Sequence, residues 1–194
     1  MLAVAAALVV GLVIELRREP PPLGGSAPRS ATHDLAALRA RADLPPCPLH
    51  RGGPGPAALR GVSVECAADG APVDVASVIA GRRTVLNLWA YWCKPCRDEL
   101  PAFAAYQQRV GARVSVVTVH QDDDEAAGLA LLAELGVRLP TLQDGRRQIA
   151  AALGLPNVLP ATVVFDADGS VARILPQTFT DAEEIAAAVE GDRW

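Results

Sequence analysis

Residues 92–96 read Trp-Cys-Lys-Pro-Cys, directly after an apolar run at residues 84–90 and directly before Arg97-Asp98-Glu99-Leu100-Pro101. The pattern places two cysteines where a strand hands over to a helix, so the fold must contain a strand-helix unit built around them. A helix start leaves backbone N–H groups unpaired and presents the positive end of the dipole, which favours thiolate over thiol. In Cys-x-x-Cys motifs this lowers the pKa of the first cysteine from about 8.5 toward about 7. Cys93 is therefore the expected nucleophile, exposed where Cys96 is buried, with Lys94 adding a nearby positive charge. Pro95 suits the first turn, where its missing N–H has no partner to lose. A zinc knuckle is the alternative use of such a pair. A closed zinc site takes four ligands, however, and the remaining cysteines, Cys47 and Cys66, form no second Cys-x-x-Cys.

At 194 residues the chain holds one well-packed domain plus appendages. A net charge of −4 provides no basic footprint, which argues against nucleic acid as a partner. Four cysteines allow one redox pair and one structural pair. Cys47 and Cys66 suit a structural bridge in an oxidising compartment, pinning a proline-rich loop to the first hairpin; a second redox pair is the alternative. His33, His50 and His120 are isolated in sequence, which suggests surface or capping roles, and no metal or cofactor is expected.

Residues 1–14 carry no charge before Glu15. Such a run falls within the range of a secretory core and short of the roughly 20 residues that span hydrocarbon comfortably. No Ala-x-Ala type cleavage site follows directly, so residues 1–16 are expected to be an uncleaved membrane anchor with the domain outside the cytoplasm. Arg17 and Arg18 lie on the downstream side, where the positive-inside rule favours cytoplasm, and oppose that orientation.

Residues 17–45 form a tether, rich in proline and glycine over 19–30, with a short helix over 34–42. Residues 46–194 form the folded domain. Short strands over 62–65 and 73–75 flank Asp69-Gly70 as a hairpin. Residues 84–90 form a buried strand and 94–110 a helix, kinked at Pro101. A strand over 113–119 precedes Asp122-Asp123-Asp124-Glu125, which cap a helix reaching 135. A helix over 145–153, a hairpin of 161–166 with 170–175 around Asp168-Gly169, and a helix over 181–189 complete the chain. This is an α/β pattern around a mixed sheet flanked by helices.

The motif, with Asn87-Leu88-Trp89-Ala90 before it, Glu99-Leu100-Pro101 after it and Leu159-Pro160-Ala161-Thr162 entering the last hairpin, resembles the thioredoxin fold, and within it the membrane-anchored TlpA/ResA-like thiol-disulfide oxidoreductases. The resemblance implies a cis Leu159–Pro160 bond facing the active-site disulfide, with the Leu159 backbone and Pro95 contacting an extended substrate strand. It implies Cys93, Cys96, Lys94, Trp92, Glu99 and Pro160 as the catalytic set. Asn87 stands where ordinary thioredoxins have a buried aspartate, and the resemblance makes Glu99 the modulator of the cysteine pKa values. First-turn dipole complementation is the alternative role for Glu99. Leu175-Pro176-Gln177 departs from the family's usual glycine after the last strand.

The function implied is an extracytoplasmic oxidoreductase that exchanges disulfides with cysteine-containing substrate proteins and is served by a membrane electron-transfer partner. A reductant in cytochrome c maturation is the first expectation and a disulfide-forming oxidant its rival. A copper chaperone using the two thiols would call for further soft ligands, yet Met1 is the only methionine and no histidine neighbours the motif. Nothing beyond the cysteines resembles a peroxide pocket.

Overall fold

The computed structural model describes residues 27–49, 52–53 and 55–191, with side chains from residue 34 onward. The apolar segment 1–14, the start of the tether and His50 lie outside them. Among the described residues no helix is long and apolar enough to cross a membrane. From His33 onward the chain forms one compact unit; of the preceding unit, Met1–Thr32, the backbone of residues 27–32 is described.

Strands β1 (Ser63–Cys66), β2 (Pro72–Asp74), β3 (Thr84–Trp89), β4 (Ser115–His120), β5 (Thr141–Gln143), β6 (Ala161–Phe165) and β7 (Val171–Leu175) form one mixed sheet in the order β2-β1-β5-β4-β3-β6-β7. The β3–β4 and β4–β5 pairs are parallel and the others antiparallel. The helices are α1 (Ala27–Ala42), α2 (Val75–Ile79), α3 (Lys94–Val110), α4 (Glu125–Leu135), α5 (Gln148–Ala152) and α6 (Ala182–Glu190). All of β3 is buried because both of its faces are covered, which is why it reads as a continuous apolar run. Val85 and Trp89 pack with α3, α4 and α6, while Leu86 and Leu88 pack with α2, α5 and the first hairpin. On α3, Cys96, Leu100, Phe103, Tyr106 and Val110 recur at helical spacing and face the sheet. Each such apolar side chain contributes about 1.5–3 kcal/mol on burial.

Several elements differ from the sequence expectation. Residues 27–33, expected to lie in the tether ahead of the helix, belong to α1, with Pro28 near its start, where proline is tolerated. Val75 starts a helix instead of ending a strand, because Asp74 caps it by accepting the Ser77 N–H at 2.9 Å. The helix expected over 145–153 contracts to α5, with buried Asp144 accepting the N–H groups of Gln148 and Ile149. Strand β5 has no counterpart in the sequence expectation, because three residues after Pro140 are too few to show alternation. Helix α3 runs unbroken through Pro101.

The end of α1 docks on the domain. Leu35 and Leu38 pack around Ala42, Ala67 and Leu129, and Arg39 pairs with Glu125 at 2.8 Å. Cys47 and Cys66 are joined by a disulfide that ties the loop after α1 to the end of β1. Their separation of 19 residues corresponds to about 3 kcal/mol of loop entropy. Replacing both by alanine is expected to lower the urea-unfolding free energy by about that amount with the far-ultraviolet circular dichroism unchanged. An unaltered midpoint would show that the bridge contributes nothing.

Candidate active site

Helix α3 starts immediately beyond the end of β3, and Cys93 is its N-cap. Cys93 Sγ accepts the Cys96 N–H at 3.3 Å, and the Cys93 N–H donates to Ala90 O at 3.0 Å. The two sulfurs are bonded to each other. Cys93 is 5% exposed and Cys96 0%. The expectation of an exposed Cys93 needs correcting: apolar neighbours leave only an edge of it at the surface, although it is the more accessible of the two. Lys94 also does less than expected. Its Nζ pairs with Asp98 at 2.9 Å on the solvent-exposed surface, so its charge is largely screened. Thiolate stabilisation falls to the helix start and the Cys96 N–H.

The Leu159–Pro160 peptide is cis. Because Leu88 pairs with Ala161 across the antiparallel β3–β6 ladder, Pro160 enters β6 at the end of the sheet where β3 delivers the motif. Leu159 packs against the cluster that contains both Cys93 and Cys96.

Glu99 is 0% exposed. It lies beyond the first turn of α3, and its carboxyl is held by Asn87 Nδ2 at 2.7 Å and by the Phe179 N–H at 3.2 Å. A buried carboxyl with two donors does not serve the surface dipole. Burial pushes its pKa up to about 7 against the pull of those two hydrogen bonds. Asn87 belongs to a row of buried polar side chains across four strands: Thr141 and Thr118 share a 2.8 Å hydrogen bond, Asn87 is in register with Thr118, and Thr162 lies 3.4 Å from Asn87 Nδ2.

His120, expected at the surface, is 1% exposed. Its ring centroid stands 4.7 Å from that of Trp89 and 6.1 Å from that of Tyr91, and Nδ1 bonds Gln143 Oε1 at 2.9 Å. Burial lowers its pKa. Gly128 makes room for the ring, since a Cβ there would lie 2.8 Å from the imidazole. The next two residues hold the end of β3 and the first residue of the motif. The Gln121 N–H donates to Trp89 O at 2.8 Å, and Asp122 Oδ2 accepts the Trp92 indole N–H at 2.9 Å. In the acidic run only Asp124 caps α4, accepting the Ala127 N–H at 3.0 Å. His120, Asp122 and Phe179 thus join the site without having been singled out, because the sheet register that brings them there is not written in local sequence. Among the described residues no group of three or more His, Cys, Asp or Glu side chains is arranged to hold a metal ion. Cys47 and Cys66 sit apart, in the apolar layer on the opposite face of the sheet.

A family model, the AhpC/TSA family, matches residues 58–174. The thiol-disulfide oxidoreductase ResA of Bacillus subtilis (strain 168) is 29% identical over 107 residues, covering 55% of this chain and 59% of that protein. The chain thus matches somewhat over half the length of that relative. The thiol:disulfide interchange protein CycY of Rhizobium leguminosarum bv. viciae is 29% identical over 147 residues, 74% of each chain. Among solved structures, a secreted Mycobacterium tuberculosis disulfide oxidoreductase homologous to E. coli DsbE matches with a TM-score of 0.59 at 25% identity, covering 69% of this chain and 97% of that one. A DsbF homologue from Corynebacterium diphtheriae matches with a TM-score of 0.58 at 22% identity, over 67% of this chain and 83% of that one, and shares the fold. The fold is thioredoxin-like.

The Glu99 carboxyl binds its proton more tightly in the folded chain, about 7 against an ordinary 4.5. Its contribution to stability is therefore complete below about pH 4.5 and is lost as pH rises through about 7. The difference amounts to on the order of 3 kcal/mol. Urea unfolding of the oxidised protein, in which the cysteines do not titrate, is expected to show the wild type losing about that much more than Glu99→Gln between about pH 4.5 and 8. Parallel curves would mean that Glu99 titrates normally.

Proposed function

Because the chain belongs to the AhpC/TSA family, we propose that it is a thiol-disulfide oxidoreductase exchanging the Cys93–Cys96 pair with cysteine pairs of other proteins. One observation carries the reading: a disulfide-forming pair caps the helix that starts where β3 ends, with a buried carboxyl one turn further along that helix. The names of the ResA and CycY relatives support it.

In the reducing direction the Cys93 thiolate attacks one sulfur of a substrate disulfide. That S–S bond breaks, a mixed disulfide forms, and the departing substrate thiolate takes up a proton. Cys96 then gives up its proton and attacks Cys93 Sγ, releasing the second substrate thiolate, which is protonated in turn. Two electrons have passed to the substrate and the protein is left as the Cys93–Cys96 disulfide. Trp92 and Pro95 adjoin the cysteines in sequence, Leu159 packs against the cluster that holds them, and Pro160 leads into β6 at that end of the sheet, which suits these four to meeting the substrate. Glu99, titrating near neutrality, is suited to hold the proton that Cys96 gives up. Once ionised, its charge opposes a thiolate nearby and so disfavours stabilisation of the reduced form, which argues for a reductant over an oxidant.

The fuller proposal is a reductant of apocytochrome c disulfides, yielding the free thiols, working outside the cytoplasm, tethered by residues 1–16 and re-reduced by a membrane electron-transfer partner. The uncharged run over residues 1–14 and a buried Cys47–Cys66 bridge, suited to an oxidising compartment, support the location.

A reduction potential of about −250 mV or lower is expected, and one near about −120 mV would make the protein an oxidant. Cys96→Ser is expected to trap substrates on Cys93, and Cys93→Ser to trap none. Alkylation of the reduced protein should label Cys93 before Cys96; the reverse order would exchange their roles. In Glu99→Gln the Cys93 thiol pKa is expected to fall by about one unit, with the effect on reactivity confined to pH above about 7, where the wild-type carboxyl is charged. An unchanged titration would reduce Glu99 to a structural residue.

A further inference from the structure

Trp92 is 60% exposed and immediately precedes Cys93, so its indole face is offered to solvent beside the sulfur that must meet the substrate. The ring is not loose. Its N–H is given to Asp122 Oδ2 at 2.9 Å, while Asp122 Oδ1 accepts the Asp124 N–H at 2.9 Å. Both of these donors are neutral, and the one cationic group that acts on the carboxylate is His120, whose burial disfavours its charged form. The cations near the motif are already spent: Lys94 pairs with Asp98 and Arg97 with Glu134. Among the described residues no ion pair involves Asp122.

An indole face attracts cations through its quadrupole. A carboxylate accepting the indole N–H adds its own charge and pushes electron density toward the ring. We propose that Trp92 and Asp122 together form a receptor for a lysine or arginine side chain lying within a residue or two of the reacting cysteine in the substrate protein. The inference rests on the oxidoreductase reading above and specifies which cysteine pairs that activity prefers. Trp92 makes the contact and Asp122 is the positioning residue, fixing the ring and supplying the uncompensated charge. Acidic segments are disfavoured at the same place by repulsion from Asp122 and from exposed Asp123 next to it.

The test uses three disulfide-bonded peptides that differ only beside the cysteine attacked, carrying lysine, glutamine or glutamate there, reduced by the full chain under single-turnover conditions. The wild type is expected to favour lysine over glutamine by about fivefold and glutamine over glutamate by a similar factor in the second-order rate constant. The lysine preference should shrink toward unity as sodium chloride rises to about 0.5 M, where exposed charges are screened. In Asp122→Asn, which keeps an oxygen for the indole N–H, and in Trp92→Leu, the lysine-to-glutamine ratio should fall to about one. Taking the ratio cancels any change in the intrinsic reactivity of Cys93, so a merely structural role does not move it. Equal rates on all three peptides, or a preference that survives both substitutions, would overturn the receptor and leave the oxidoreductase reading standing. A wild type that reduces none of the peptides would overturn both.

Discussion

The Glu99 carboxyl, fully enclosed and held by Asn87 and the Phe179 N–H, is the constraint on which the arrangement around the cysteines depends. A carboxyl out of water needs donors from more than one direction. Here they come from the central strand β3 and from the segment between β7 and α6, so helix, sheet and C-terminal segment must close together before the group is satisfied. Phe179 contributes through its side chain as well, meeting Phe103 edge-on at 5.9 Å between centroids. The apolar contact and the hydrogen bond to Glu99 therefore stand or fall as one unit.

Around that group the sheet provides position and the helix provides electrostatics. β3 is flanked by a parallel and an antiparallel neighbour, which brings the start of β6 and the end of β4 to the same edge as the motif. From one side arrives Leu159, packed against the cluster that holds Trp89; from the other come His120 against Trp89 and Tyr91, Gln121 bonded to Trp89 O, and Asp122 bonded to the Trp92 indole. The backbone before Cys93 is thereby held by strand, ring and carboxylate contacts, while the helix beyond it gives the sulfur the Cys96 N–H.

Much of this was legible in the chain itself. Cys93 at a strand-helix junction, Asp69-Gly70 and Asp168-Gly169 between strands, and a helical stripe from Cys96 to Val110 are local patterns with local causes. What escaped notice depended on register. Thr141-Leu142-Gln143 becomes a strand because β1 and β4 are there to pair with it. His120 looks isolated in sequence and becomes buried because the parallel ladder sets it opposite Trp89. Asp122 reads as one more capping acid, and its partner lies thirty residues earlier. The second apolar layer, by contrast, was implicit in the unbroken hydrophobicity of β3.

The two disulfides occupy opposite faces of the sheet, Cys93–Cys96 in the layer of α3 and Cys47–Cys66 in the layer of α2 and α5. The sheet lies between them, so a thiolate of Cys93 or Cys96 cannot exchange with Cys47 or Cys66 of its own chain. On the proposed function one sulfur-sulfur bond of the molecule is spent and remade while the other must last, and the sheet divides the consumable from the permanent.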